Sequence, residues 1–155
     1  MTTIIANSAV RLISEGILVS RATAALPATA LGNIFTITGG RILVVGLIGE
    51  VTTAVQNQAC TISIGTAPTV GTGSATALGT TSSIIAAPIG THFSSNPGGA
   101  TVTDLTTQAG VLVPAAGFLV DAGSITITTS ATNTGSVKWD LIFVPWDNGA
   151  SVAAA

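Results

Sequence analysis

The punctuation of this chain constrains it most. From Gly16 onward, short apolar or alternating runs recur about every ten residues, each closed by Gly, Pro, Asn or Ser. Runs of that length suit strands rather than helices, and about seven to nine of them in one chain read as all-β. "GILVSRATAAL" is a first strand ending near Pro27. "NIFTITGGRILVVGLIGEVTTAV" reads as the strongest hairpin, because Gly39-Gly40 can take the positive φ values of a two-residue turn. Its second run is apolar on both faces from Ile42 to Ile48, the pattern of a central strand covered on both sides, with Gly46 and Gly49 marking a bulge or a close backbone approach. "NQACTISIG" alternates, with Cys60, Ile62 and Ile64 on one face. "SIIAAPI" and "GVLVPAAGFLVDAG" read as further strands, "GTAPTVGTGSATALGTTSS" as a loop or weak edge strand, and residues 90–104 as a surface excursion.

The closing strand is the most legible element. In "SVKWDLIFVPW", Val137, Trp139, Leu141 and Phe143 share one face, and Lys138, Asp140 and Ile142 the other. The first set predicts a core face. Pro145 ends the strand or places it at an edge, and Trp146, on the opposite parity to Trp139, is expected exposed or at a subunit contact. The expected fold is a single-domain antiparallel β-sandwich or jelly roll over 17–149, with an N-terminal arm over 1–16 and a C-terminal tail over 150–155.

Charge narrows the function classes. Only 6% of residues are charged, against about 25% in ordinary globular chains, and the net charge is −2. Arg11, Arg21, Arg41 and Lys138 are the four cations, too few for a phosphate-binding patch, so no nucleic-acid partner is expected. So little charge leaves little repulsion between copies, and association is the natural expectation. The apolar stretches 42–49 and 110–120 fall short of the roughly 20 residues of a spanning helix, and no membrane partner is expected. The first residues lack a basic region followed by an apolar core, so no secretion signal is expected. With Cys60 alone, no intrachain disulfide is possible, which suits assembly in a reducing cytoplasm.

Catalytic signatures are missing from the pattern. The single histidine, His92, has no G-x-S-x-G elbow and no sequence-close acid to complete a triad, and reads as a surface-loop residue. One His and one Cys are too few for zinc, and Asp140, Asp147 and Asn148 are too spread for a calcium loop, so neither metal nor cofactor is expected. Nothing selects a carboxylate pair among Glu15, Glu50, Asp104 and Asp121. No catalytic residue is assigned.

Two segments resemble small virion proteins of tailed bacteriophages: "ATAALPATALGNIFTITGGRILVVGLIGEVTTAVQNQ" (22–58) and "GSVKWDLIFVPWDNGASVAAA" (135–155). The family pattern runs through "F-T-I-x-G-G-R" into a "G-E-V-T-T" strand and closes on "W-x-L-x-Y-x-P-L-x-x-G-A". Here Phe143 and Trp146 stand where Tyr and Leu are usual. The resemblance implies a non-enzymatic structural protein on the virion, a homotrimeric decoration (cement) protein that binds the major capsid protein at the head surface. A tail or head–tail connector component is the alternative within that class. A carbohydrate-binding sandwich using Trp146, Asp147, Asn148 and the His92 loop is the alternative outside it. The candidate shell or subunit contacts are Ile4, Ile5, Val10, Arg11, Leu12, Ile13 and Glu15 of the arm, together with Trp146. An arm of that composition buries too little apolar surface to order itself, so it is expected to pack on a neighbour and to fix the protein there more firmly than the small-residue tail does.

Overall fold

The computed structural model describes residues 15–71, 75–78, 80–95, 103–107 and 117–155. Its strands are β1 (Ile17–Ala25), β2 (Leu31–Thr38), β3 (Ile42–Thr53), β4 (Thr61–Pro68), β5 (Thr76–Ala77), β6 (Ser82–Ser83), β7 (Thr91–Ser95), β8 (Thr103–Thr107), β9 (Phe118–Val120), β10 (Gly123–Thr129), β11 (Ser136–Pro145) and β12 (Ser151–Ala154). They form two antiparallel sheets. Sheet A has the order β1-β11-β3-β7-β8, with β9 also on β3; sheet B has the order β12-β2-β10-β4-β5, with β6 also on β4. The protein is a β-sandwich, as the spacing of its runs implies.

The pairing is nested. β1 pairs with β11, β2 with β10, β3 with β9 and β7, and β4 with β5 and β6, while successive strands β1 to β4 alternate between the sheets. A chain doubled on itself and wound around a core in this way has the jelly-roll order, with β12 added beside β2. The inner faces meet in one apolar cluster that includes Phe35, Ile37, Val44, Leu47, Ile62, Ile64, Ile125, Trp139 and Leu141.

β11 faces as its alternation predicts: Val137, Trp139, Leu141 and Phe143 are buried, and Lys138, Asp140 and Ile142 are half-buried on the other side. Cys60 lies in the core. Both glycine readings within β3 hold. The register slips by one residue between Gly46 and Val44 opposite β11, leaving Val45 as a bulge, and a Cβ at Gly49 would sit 2.7 Å from the Trp139 ring.

Four expectations are corrected. β2 and β3 are not a hairpin: β2 lies between β12 and β10 in sheet B, β3 beside β11 in sheet A, and Gly39-Gly40 turns the chain from one sheet to the other. The φ values are positive as expected, 77° and 141°, but tertiary pairing chooses the partners. Part of the 90–104 excursion is regular structure, because β7 and β8 pair in register from Thr91↔Thr107 to Ser95↔Thr103. "SIIAAPI" contributes only Ser83 to a strand; Ile84 is buried, and residues 85–90 turn. Residues 151–154 are a strand of the sandwich rather than a tail, running from Ser151↔Thr38 to Ala154↔Phe35 with Val152 packed on the core. Arg21 Nε donates to the Ala155 carbonyl at 2.8 Å and Ala155 N to the Ile34 carbonyl, so this end is tied to both β1 and β2. The arm residues 1–14 lie outside the described residues.

Candidate functional site: the Trp146 corner and the outer face of sheet A

Two connections between the sheets run side by side at one end of the sandwich. Residues 39–41 carry the chain from β2 to β3, and residues 146–150 carry it from β11 to β12. Asp147 locks them together. Its Oδ2 accepts from the Arg41 backbone N at 2.8 Å and from Arg41 Nε at 2.9 Å, and its Oδ1 accepts from Nη2 at 2.8 Å. The Arg41 carbonyl in turn accepts from Trp146 N and Asp147 N. The side-chain and backbone hydrogen bonds from Arg41 hold the Asp147 carboxyl down at about 2. The glycines are steric necessities at this corner. A Cβ at Gly39 would overlap the Gly149 carbonyl, and one at Gly40 would lie 2.6 Å from the Asp147 Cβ. The paired carboxylate and guanidinium thus fix the turn that presents Trp146, which is 58% exposed.

At the other end of β3, a polar row crosses three strands of sheet A. Lys138 on β11 and His92 on β7 both pair in register with Glu50 on β3. Lys138 Nζ lies 2.8 Å from Glu50 Oε2, and His92 Nε2 lies 3.9 Å from the same oxygen. The hydrogen bond from Lys138 lowers the Glu50 pKa, and its reciprocal raises that of Lys138. His92 is therefore a strand residue, contrary to the loop expected for it. Its Nδ1 is buried without a hydrogen-bond partner, and Glu50, the carboxylate beside it, is already engaged by Lys138. Among the described side chains, the carboxylate paired with His92 is that of Glu50. Among the described residues no group of three His, Cys, Asp or Glu side chains could hold a metal ion, and no helix is long and apolar enough to cross a membrane.

Between these ends, the outer face of sheet A is aliphatic. Leu18 pairs with Ile142, Val144 with Leu43, and Leu43 with Leu119, and Val45 bulges beside them. Leu18 is 60% exposed and Leu119 47%; the other four are half-buried. The patch runs up to Pro145 and the Trp146 corner.

A cleft of about 80 Å³ lies between β1 and the start of β2, lined by Arg21, Pro27, Asn33 and Trp139 among others. The six-membered ring of Trp139 rests against Gly49, and Nε1, on the other side of the indole, is buried without a partner. A cleft of that volume has room for water.

The sequence-predicted contacts divide accordingly. Trp146 is exposed on a rigid corner, and Glu15 is exposed where the chain enters β1. Ile4, Ile5, Val10, Arg11, Leu12 and Ile13 lie outside the described residues. His92 and Trp146 do not converge: they sit beside Glu50 and Arg41 respectively, nine residues apart along an extended strand, or about 30 Å. The apolar run 42–48, expected to be covered on both sides, is covered on one: Ile42, Val44 and Leu47 are buried in the core, while Leu43, Val45 and Ile48 on the outer side are half-buried. Comparison with protein-family models, curated proteins and solved structures finds no match for this chain.

Proposed function

We propose that this protein is a non-enzymatic structural component of a virus particle, a decoration (cement) protein on the head of a tailed phage. In this reading it assembles in the host cytoplasm as a homotrimer and binds the major capsid protein at the capsid surface, with no cofactor and without nucleic acid or membrane as a partner. The observation that carries the reading is where the two resembling segments fall. Residues 22–58 and 135–155 supply β2, β3, β11 and β12 together with the two connections that Arg41 and Asp147 lock. The resemblance therefore maps onto one physically coherent unit with an exposed Trp at its corner and an aliphatic face beside it, as suits a protein buried by neighbours. The arm and Trp146 are the proposed contacts with shell or subunits.

The test is quantitative mass spectrometry of purified particles. Hundreds of copies per particle, in simple proportion to the major capsid protein, are expected. A handful of copies would assign the chain to the tail or connector instead. A second reading is favoured by Trp146 itself, because an exposed, rigidly held indole can stack on a sugar ring. It no longer includes the His92 segment, and it takes Trp146 and Asn148 as its contacts. Glycan-array binding that is lost in Trp146→Ala would support it.

A further inference from the structure

Trp139 is the largest fully buried side chain described, yet its Nε1 has no hydrogen-bond partner. A donor left unpaired in the interior costs the full desolvation of that group, so the place it points to matters. The six-membered ring lies against Gly49 on β3, which turns Nε1 the other way, toward β1 and the cleft that Trp139 helps to line.

Directly opposite Trp139 on β1 stands Arg21, on the same inward face of sheet A. β1 is an edge strand, and an inward-pointing charge there hinders pairing with another chain. That role accounts for the guanidinium and leaves the buried indole N–H unexplained. Arg21 Nε donates to the Ala155 carbonyl at 2.8 Å, which ties the guanidinium across the open edge of the sandwich. Arg41 is paired with Asp147 and Lys138 with Glu50, whereas no acidic side chain is paired with Arg21 among the described residues.

The polar side chains on the cleft are those of Arg21, Asn33 and Trp139; the rest of its lining is apolar, including Leu26, Pro27 and Ile34. An indole N–H and a guanidinium donate and do not accept. Water fits the space but brings no charge. A carboxylate brings two acceptor oxygens and the charge that suits Arg21. The apolar lining suits the carbon end of such a molecule better than it suits an inorganic anion.

We propose that the cleft between β1 and the start of β2 binds a small organic carboxylate, with Trp139 Nε1 and the Arg21 guanidinium as its donors. The site stands or falls separately from the virion reading. The test is a titration of the full chain with acetate, at an ionic strength held constant with chloride, followed on the indole N–H signals by two-dimensional NMR. Trp146→Phe tells the two indole signals apart. Acetate is expected to move the Trp139 signal along a saturating curve. Acetamide, similar in size and neutral, should bind at least about 10-fold more weakly, and Arg21→Gln should weaken acetate by a similar factor. A Trp139 signal that ignores acetate overturns the proposal and leaves the cleft to water. Equal affinity for acetate and acetamide overturns it as well, as does acetate binding that Arg21→Gln leaves unchanged. If Arg21→Gln misfolds, the comparison of acetate with acetamide on the wild type decides.

Discussion

The two outer faces of this sandwich are built on the same alternation and end with opposite character. On sheet B most outward positions are hydroxyls or an amide, with Leu31 and small alanines among them, and Thr38 Oγ1 and Ser151 Oγ lie 3.0 Å apart. On sheet A half of them are branched aliphatics. Both faces use β-favouring residues, so strand propensity does not separate them. What differs is the cost of leaving each wet. A Thr ladder loses little in water, whereas an aliphatic patch gains by association at roughly 25 cal/mol per Å² removed from water. The fold is thus specified by the inward residues of both sheets, and the outward residues of sheet A are free to specify something else.

This comparison depends on strand facing, and the largest expected effect tests that. Trp139→Ala empties a core site stacked on Phe93 (ring centroids 6.2 Å apart) and should cost about 3–5 kcal/mol in denaturant unfolding. Lys138→Ala, one residue away on the outer face, should cost under about 1 kcal/mol. Equal costs would mean that inner and outer faces are misassigned. Next comes the corner that turns the chain from sheet B to sheet A. Gly40→Ala combines a positive φ with a clash against Asp147 and should cost about 1–3 kcal/mol. An unchanged melting temperature would show that the corner is not locked.

Exchanging the character of the faces is a milder intervention. Thr36→Val/Thr128→Val on sheet B should alter unfolding free energy by no more than about 0.5 kcal/mol. It should nevertheless raise association above that of the wild type, read by light scattering. The smallest effect is that of acid. Asp147 and Glu50 have lowered pKa values in the folded protein, so their ion pairs contribute stability at neutral pH, above the ordinary carboxylate range. For Asp147 that contribution fades as pH falls below about 4 and is lost as pH passes through about 2. Both pairs are solvent-accessible and screened, so the decline in melting temperature should be shallow, and Asp147→Asn should flatten it further.

The sequence made the facing of β11 legible because large apolar and polar residues alternate there without a break. It made the φ values at Gly39-Gly40 legible for the same local reason. It did not reveal what those glycines join, because turn chemistry sets a backbone conformation and leaves the pairing partner to the rest of the chain. Arg41 and Asp147 are 106 residues apart, and neither has a local signal for the other. β12 escaped notice because Ser-Val-Ala-Ala carries almost no hydrophobic pattern; backbone pairing with β2 and the burial of Val152 make it a strand. β7 was hidden by a loop-like neighbourhood, with Phe93 as its one strong inward residue. The aliphatic face emerges only when β1, β3, β9 and β11 are set side by side, which no single segment shows.

The most direct measurement is a cryo-EM map of the particle at a resolution that places individual strands. Many copies on the head shell are expected, with Trp146 covered at a contact with the shell or with a neighbouring copy. A few copies on the tail axis, or head copies whose Trp146 is bare to water, would contradict the head-decoration reading.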